Sequence, residues 1–454
     1  MASWIDDAVF YHVYPLGYCG APTRNDLSSP PVARLDKLAA RLDGIAALGA
    51  NALYLGPLFE SVAHGYDTVD YRLVDRRLGT NADLARFSRE AKAKGFRIVL
   101  DGVFNHVGRE HPWFRRLREE GQLSPSTSKF RGIDFSARSP AGDPFSYEGW
   151  NGCHDLVRLD LGNPEVRREL ISAVLSWIDD YDIDGLRLDA ADCVDLGFQA
   201  ELAAACRARK ADFWLMGEII HGDYRRWAGG GPLDSVTNYE CWKGLWSSLK
   251  DANYHEIAYA LRRQSGEGGL YRDLLLYNFA DNHDVDRAAS LLPDSRLLYP
   301  LYCLLFTMPG IPSIYYGSEL GARGARSRDS DLVLRPGIEE LEASPPPEPD
   351  LSRAIGRLAR LRRGLPALRR GAYRELSVSA RQLAFARESP EGWVLVALNA
   401  SDKAVDFDLP LPGAAFRLRD ALEATGGDGR TFEPRGGRVR FTVHPHWAGV
   451  LAPA

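Results

Sequence analysis

The chain has 454 residues, and its 56 basic and 61 acidic side chains leave a net charge of −5. That near balance argues against nucleic acid and anionic membrane, which usually demand a concentrated basic face, and no apolar run reaches the ~20 residues of a membrane helix. A hydrophobic content of 45% and a charged content of 26% are those of a globular protein, long enough for two or three domains.

The N-terminus reads Met1-Ala-Ser-Trp-Ile-Asp-Asp7, with neither the basic nor the apolar region of a secretory leader. Six cysteines (Cys19, Cys153, Cys193, Cys206, Cys241, Cys303) show no CxxC or repeat spacing and read as buried, reduced thiols. Together these features suggest the cytoplasm, or secretion if a leader has been removed.

Along the chain, short apolar runs alternate with amphipathic stretches. Strands are expected at Phe10–Pro15, Ala52–Gly56, Arg97–Val103, Gly185–Ala190, Phe213–Glu218, Ser235–Tyr239, Leu274–Phe279 and Ile311–Tyr316. Helical patterns at Arg34–Leu48, Asn81–Lys94, Pro164–Asp180 and Asp195–Arg209 lie between them. Strands that alternate with helices build parallel sheets, and eight of them can close into a (β/α)8 TIM barrel.

The stretch from Val107 to Arg158 is too long and irregular for a simple connection. It is expected to form an inserted subdomain after strand three, where a barrel builds its active site. Gly321–Asp350, with Ser344-Pro-Pro-Pro-Glu-Pro349, reads as a long loop before a last barrel helix at Leu351–Gly364. From about Tyr373 the texture becomes all-β, with strands at Gln382–Arg387, Trp393–Asn399, Ala404–Leu409 and Arg438–Val443. The expected organisation is a catalytic barrel over 1–106 and 159–372, a subdomain over 107–158, and an antiparallel β-sandwich over 373–454.

Polar residues cluster at four strand ends: Asp101-Gly-Val-Phe-Asn-His106, Gly185-Leu-Arg-Leu-Asp189, Met216-Gly-Glu218 and Asn278-Phe-Ala-Asp-Asn-His-Asp284. Charges buried at strand ends are costly unless paired, so four such clusters need an explanation. Arg187 and Asp189 stand two apart and share a face of one strand. A guanidinium there keeps the carboxylate ionised, as a nucleophile requires. Glu218 follows the apolar run Phe213-Trp-Leu-Met216, a setting that favours the protonated form of an acid catalyst. Two carboxyl groups in unlike settings on adjacent strands suit glycoside hydrolysis with retention.

In this order and spacing, the four segments resemble the α-amylase family, glycoside hydrolase family 13. The likeness extends from Val9-Phe-Tyr-His-Val-Tyr-Pro15 to Pro309-Gly-Ile-Pro-Ser-Ile-Tyr-Tyr-Gly317 and the β domain. It implies Asp189 as nucleophile, Glu218 as general acid/base and Asp284 as transition-state stabiliser. It further implies that Arg187 orients Asp189, that His106 and His283 bind sugar hydroxyls, and that Tyr66 in His64-Gly-Tyr-Asp67 stacks on the sugar, with Asp67 beside it. Asp101 and Asn105 would hold the loop after strand three. No cofactor is required on this reading, although calcium is possible through Asn105. The partner is an α-glucan oligosaccharide; oligomeric state stays open.

Within the family the chain is most similar to the neopullulanase, cyclomaltodextrinase and maltogenic amylase group. Leu159–Arg167, Trp177–Gly185 and Asp234–Tyr239 carry that likeness. The implied activity is cleavage of α-1,4 bonds in maltodextrins, cyclodextrins, starch and pullulan, mainly to maltose. Three features depart from the group. The first barrel strand begins near residue 9, where the group carries an extra N-terminal β domain. Ala190-Ala-Asp-Cys193 replaces Val-Ala-Asn-Glu, and Ile220 replaces a tryptophan. Alternatives are an ordinary α-amylase and an α-glucosidase or transglycosylase. More remote are a non-catalytic relative and a metal-dependent barrel hydrolase with Asp101, His106, Glu218 and His283 as ligands.

Overall fold

The computed structural model describes residues 3–327 and 330–454. Met1, Ala2 and, within the expected 321–350 loop, Arg328 and Asp329 lie outside the described residues. The fold is a (β/α)8 barrel with an eight-stranded parallel sheet, followed by antiparallel β-structure. The barrel strands are β1 (Phe10–Val13), β2 (Ala52–Leu55), β3 (Arg97–Gly102), β4 (Gly185–Leu188), β5 (Trp214–Gly217), β6 (Ser235–Val236), β7 (Tyr277–Phe279) and β8 (Ile311–Tyr315). All eight fall inside the expected ranges. Seven of them are buried at every position, and β3 is exposed only in part at Arg97. Continuous apolar runs of this kind belong to parallel strands covered on both faces.

By internal contacts the chain divides into two compact units. One comprises Val13–Asp43 and Ala52–Val236, the other Trp4–His12, Gly44–Asn51 and Thr237–Ala454. In the first, β2 to β6 pair in unbroken parallel succession by way of β3, β4 and β5. Gly217 stands opposite Leu188, so the next residues, Glu218 and Asp189, leave neighbouring strands at the same level. Local signals set the helices between them. Thr80 and Asp83 form a capping box at Asn81–Ala93. Asn163 caps Pro164–Tyr181, and Asp182 ends it in a left-handed conformation.

The helix expected over 34–48 is two short ones, Asp36–Ala39 and Leu42–Ala47. Leu35, Leu38, Leu42 and Ile45 are all buried; the apolar period runs through the break and conceals it.

The 107–158 stretch contains a helix, Pro112–Glu120, and two strands, Gly149–Trp150 and Cys153–Arg158. These strands make a three-stranded antiparallel sheet with His106–Gly108. Its core is aromatic: Phe114 packs 5.3 Å from Phe130 and 4.9 Å from Tyr147 between ring centroids. Arg109 grips Asp143 with two bonds of 2.7 and 2.9 Å.

In the second unit, β1 pairs with β8 and β8 with β7, all parallel. The C-terminal strands form a six-stranded sheet and a separate pair, Val405–Pro410 with Arg438–Val443. Ala384, Ala386, Leu395 and Ala397 pack with Phe407, Leu409, Val439 and Phe441 in one apolar cluster, the core of a β-sandwich.

The thiol expectation needs a correction. Among the described residues no disulfide joins the six cysteines, but Cys153 and Cys193 are exposed. Cys153 opens the Cys153–Arg158 strand, and Cys193 sits in the turn that follows Asp189, where chain usually runs at the surface. Among the described residues, no helix is long and apolar enough to cross a membrane.

Candidate active site

Three carboxylates from three consecutive strand ends meet one guanidinium. Arg187, in β4 and only 3% exposed, donates from Nη1 to Asp101 Oδ1 at 2.9 Å and to Asp189 Oδ1 at 2.8 Å. Its Nη2 lies 2.8 Å from Glu218 Oε1. Burial alone disfavours a cation, yet Asp101, Glu218 and the nearby tyrosines hold Arg187 well above its ordinary range. The pairing is wider than the expected Arg187–Asp189 couple. Asp101 is a full member, and it also accepts from the Tyr54 and Tyr66 hydroxyls at 2.9 and 3.1 Å.

Asp189 and Glu218 differ in their second oxygens. Glu218 Oε2 accepts from the Ala190 backbone N–H at 3.0 Å. Ala190 has a φ of 44°, a left-handed conformation uncommon outside glycine, and this turn follows Asp189 directly. Asp189 Oδ2 faces His106 Nε2 at 4.0 Å. The Asn105 side-chain amide lies 3.2 Å from His106 Nδ1.

Tyr66 is placed by the loop before it. Asp67 accepts from four backbone N–H groups, those of Val62, Ala63, His64 and Gly65, at 2.7 to 3.2 Å. Both of its oxygens therefore fold the loop. Gly65 has a φ of 88°, and a Cβ there would come within 2.6 Å of Pro57, so the turn admits only glycine. Arg187 lies over the Tyr66 ring, 5.9 Å from its centroid.

In the second unit, His283 Nε2 lies 2.9 Å from Asp284 Oδ2. Asn282 accepts from the Asp284 and Val285 amides at 2.8 and 3.1 Å, closing a tight turn. Arg335 donates to Asp284 Oδ1 at 3.0 Å and to the His283 carbonyl at 3.1 Å. Sequence reasoning missed Arg335, because it stands in an irregular loop with no periodicity to single it out.

A model of the α-amylase catalytic domain matches residues 31–353, and one of the maltogenic amylase C-terminal domain matches 373–449. The chain belongs to the α-amylase family. As a member, it is a glycoside hydrolase that cleaves α-glucans. It is 30% identical to a cyclomaltodextrinase from a Bacillus species over 88% of this chain and 74% of that one. A solved cyclomaltodextrinase superposes with a TM-score of 0.85 at 26% identity, covering 99% of this chain and 79% of that chain. The cyclic α-maltosyl-(1→6)-maltose hydrolase from Arthrobacter globiformis gives 0.81 at 26% identity, covering 99% and 100%.

The donor set near Asn105 in this α-amylase relative is a poor cradle for calcium. A cavity of about 700 Å³ beside it is lined by Asp160, Asp192 and Asp195, but also by Arg131, Arg158 and Arg226. Among the described residues, no cluster of three carboxylate, thiolate or imidazole donors includes any of these. Calcium favours six or more converging oxygens.

Burial pushes the imidazoles of both His106 and His111 down to about 3. In the unfolded chain they titrate near 6.5. Their folded pKa values are depressed, so each contributes stability above pH 6.5 that declines as pH falls toward 3. The slope is about 1.4 kcal/mol per pH unit for each histidine. Unfolding in urea between pH 7 and 4.5 is expected to show this decline, and His111→Gln to flatten it. An equal slope in the variant would contradict the assignment.

Proposed function

We propose that the chain is a retaining enzyme that cleaves α-1,4-glucosidic bonds in maltodextrins and cyclodextrins, with maltose as main product. The observation that carries this reading is the grip of Arg187 on Asp101, Asp189 and Glu218 at the C-terminal ends of β3 to β5, the end on which TIM barrels build their sites. Asp189 attacks the anomeric carbon while Glu218 protonates the departing glycosidic oxygen. The glycosyl–Asp189 ester is then opened by a water that Glu218 deprotonates.

Arg187 keeps Asp189 ionised and fixed in rotamer. His106 and His283 hydrogen-bond ring hydroxyls; Asp284, held by Arg335, does so more strongly as oxocarbenium charge develops. Tyr66 offers an aromatic face to the apolar side of the sugar. Asp67 acts through the loop that presents Tyr66, and Asp101 through Arg187. Six cysteines with no disulfide among the described residues fit a reducing, cytoplasmic setting.

A second reading concerns the glucan. This chain spans the whole length of the Arthrobacter globiformis hydrolase, which favours cyclic α-maltosyl-(1→6)-maltose as a substrate. Ile220, 46% exposed two residues beyond Glu218, offers apolar surface next to the acid/base. Product analysis on β-cyclodextrin, cyclic α-maltosyl-(1→6)-maltose, soluble starch and pullulan discriminates the readings. Ring opening followed by maltose release is expected from at least one cyclic glucan. Starch cleavage with both rings left intact would make the enzyme an ordinary α-amylase.

A further inference from the structure

Away from the Arg187 cluster, the second unit contains a cavity of about 530 Å³. One wall comes from the segment around Arg296 and Tyr299 and from the start of the Leu351–Gly364 helix. The other comes from the turn His444-Pro445-His446-Trp447 of the C-terminal sheet. Its volume is that of a small-ligand site. Tyr299 and Trp447 pack edge to face, 5.9 Å between centroids, and Arg357 lies over Trp447 at 5.8 Å.

His446 is the informative member. Its side chain is 8% exposed, and its Nε2 lies 2.9 Å from Asp402 Oδ1, to which it donates. Its Nδ1 is buried with no hydrogen-bond partner, although a buried acceptor normally has one. The backbone there has a φ of 49°, a strained conformation for a side chain branched beyond Cβ that commonly marks functional positions. The surroundings thus hold an imidazole in the cavity wall with one acceptor unsatisfied.

Charge decides the ligand class. Arg296 lies 2.5 Å from Asp294 and 3.1 Å from Asp402. Arg353 is paired with Asp350, and Arg357 donates to the Leu422 carbonyl and the Thr425 hydroxyl. With Glu348 also in the wall, the acidic side chains here are at least as many as these arginines, so no excess positive charge awaits a phosphate. The Asp294, Asp402 and His446 donors also approach one another, but Arg296 occupies both aspartates, leaving no place for a cation. Planar polar groups beside aromatic surface suit a neutral polyol, whose hydroxyls pair with the former and whose C–H faces lie on the latter.

We propose that this cavity is a second, non-catalytic site that binds a short segment of α-glucan. The proposal rests on the enzyme's α-glucan chemistry, not on the role of any one carboxylate. A site that grips polymer outside the catalytic cleft raises the local concentration of chain ends and bonds for hydrolysis. It is expected to matter for long glucans and not for short ones.

Affinity electrophoresis in gels containing soluble starch, paired with maltotriose turnover, tests this. The wild type should be retarded. Tyr299→Ala and His446→Ala should lose about ten-fold in apparent starch affinity, while kcat/KM on maltotriose stays within about two-fold. Melting temperatures identify a variant that fails to fold. In that case the milder Tyr299→Leu, which keeps the bulk and removes the aromatic face, should give the same loss. Retardation equal to wild type in the folded variants would overturn the proposal. So would protection from thermal unfolding by inorganic phosphate, lost in His446→Ala, because the cavity would then be an anion site. Gel retardation does not depend on turnover, so failure of the catalytic assignment would be seen separately, as maltotriose hydrolysis by Asp189→Asn.

Discussion

Asp189→Asn is expected to lower turnover of a maltooligosaccharide by about 10³-fold or more, with a melting temperature close to wild type. The amide has almost the shape of the carboxylate but neither its charge nor its capacity to form a glycosyl ester. Arg187 would still hold Asp101 and Glu218, so the strand ends should remain in place. Glu218→Gln should cause a comparable loss on ordinary glucans and a smaller one on an aryl glycoside with an acidic leaving group, which departs without a proton donor. Steady-state kinetics on both substrates check this pair. Asp189→Asn retaining more than about a thousandth of wild-type activity would show that the nucleophile lies elsewhere.

Arg187→Leu is expected to be the most destabilising single change at the site, at about 3–5 kcal/mol, because it leaves buried carboxylates without their common partner. Asp101 is hidden and Asp189 nearly so. Without the guanidinium, these groups would hold protons more tightly in the folded chain than in the unfolded one. Their folded pKa values would then be raised, and stability would fall as pH rises through the ordinary carboxylate range near 4. The deficit should therefore be larger at pH 7 than at pH 4. Arg187→Lys should rescue little, since one ammonium cannot reproduce a fork that uses Nη1 for two partners and Nη2 for a third. Urea unfolding of all three proteins at both pH values provides the measurement; equal stability at pH 7 would contradict the account.

The barrel strands and most of their helices were legible because each signal is local. Apolar runs bounded by amphipathic stretches do not depend on distant parts of the chain. The β4 spacing also placed Arg187 and Asp189 on one face. What spacing could not reveal is convergence across strands. Asp101 and Glu218 reach the same guanidinium only because β3, β4 and β5 pair in parallel with a particular register. Arg335 meets Asp284 through an irregular loop, and its role depends on tertiary packing. Similarly, the aromatic core of the 107–158 stretch joins Phe114, Phe130 and Tyr147 at intervals that follow no helix or strand period. The split of the 34–48 helix was masked by a buried series that keeps its spacing across the break.

The central claim is a double displacement through Asp189, and trapping its intermediate tests it most directly. Glu218→Gln incubated with a maltosyl fluoride deactivated by a 2-fluoro substituent should accumulate a covalent adduct, because a good leaving group needs no acid and deglycosylation lacks its base. Mass spectrometry of the digested protein should place one glycosyl group on the peptide containing Asp189. Labelling of another carboxylate, or release of an inverted product with no adduct, would contradict the account.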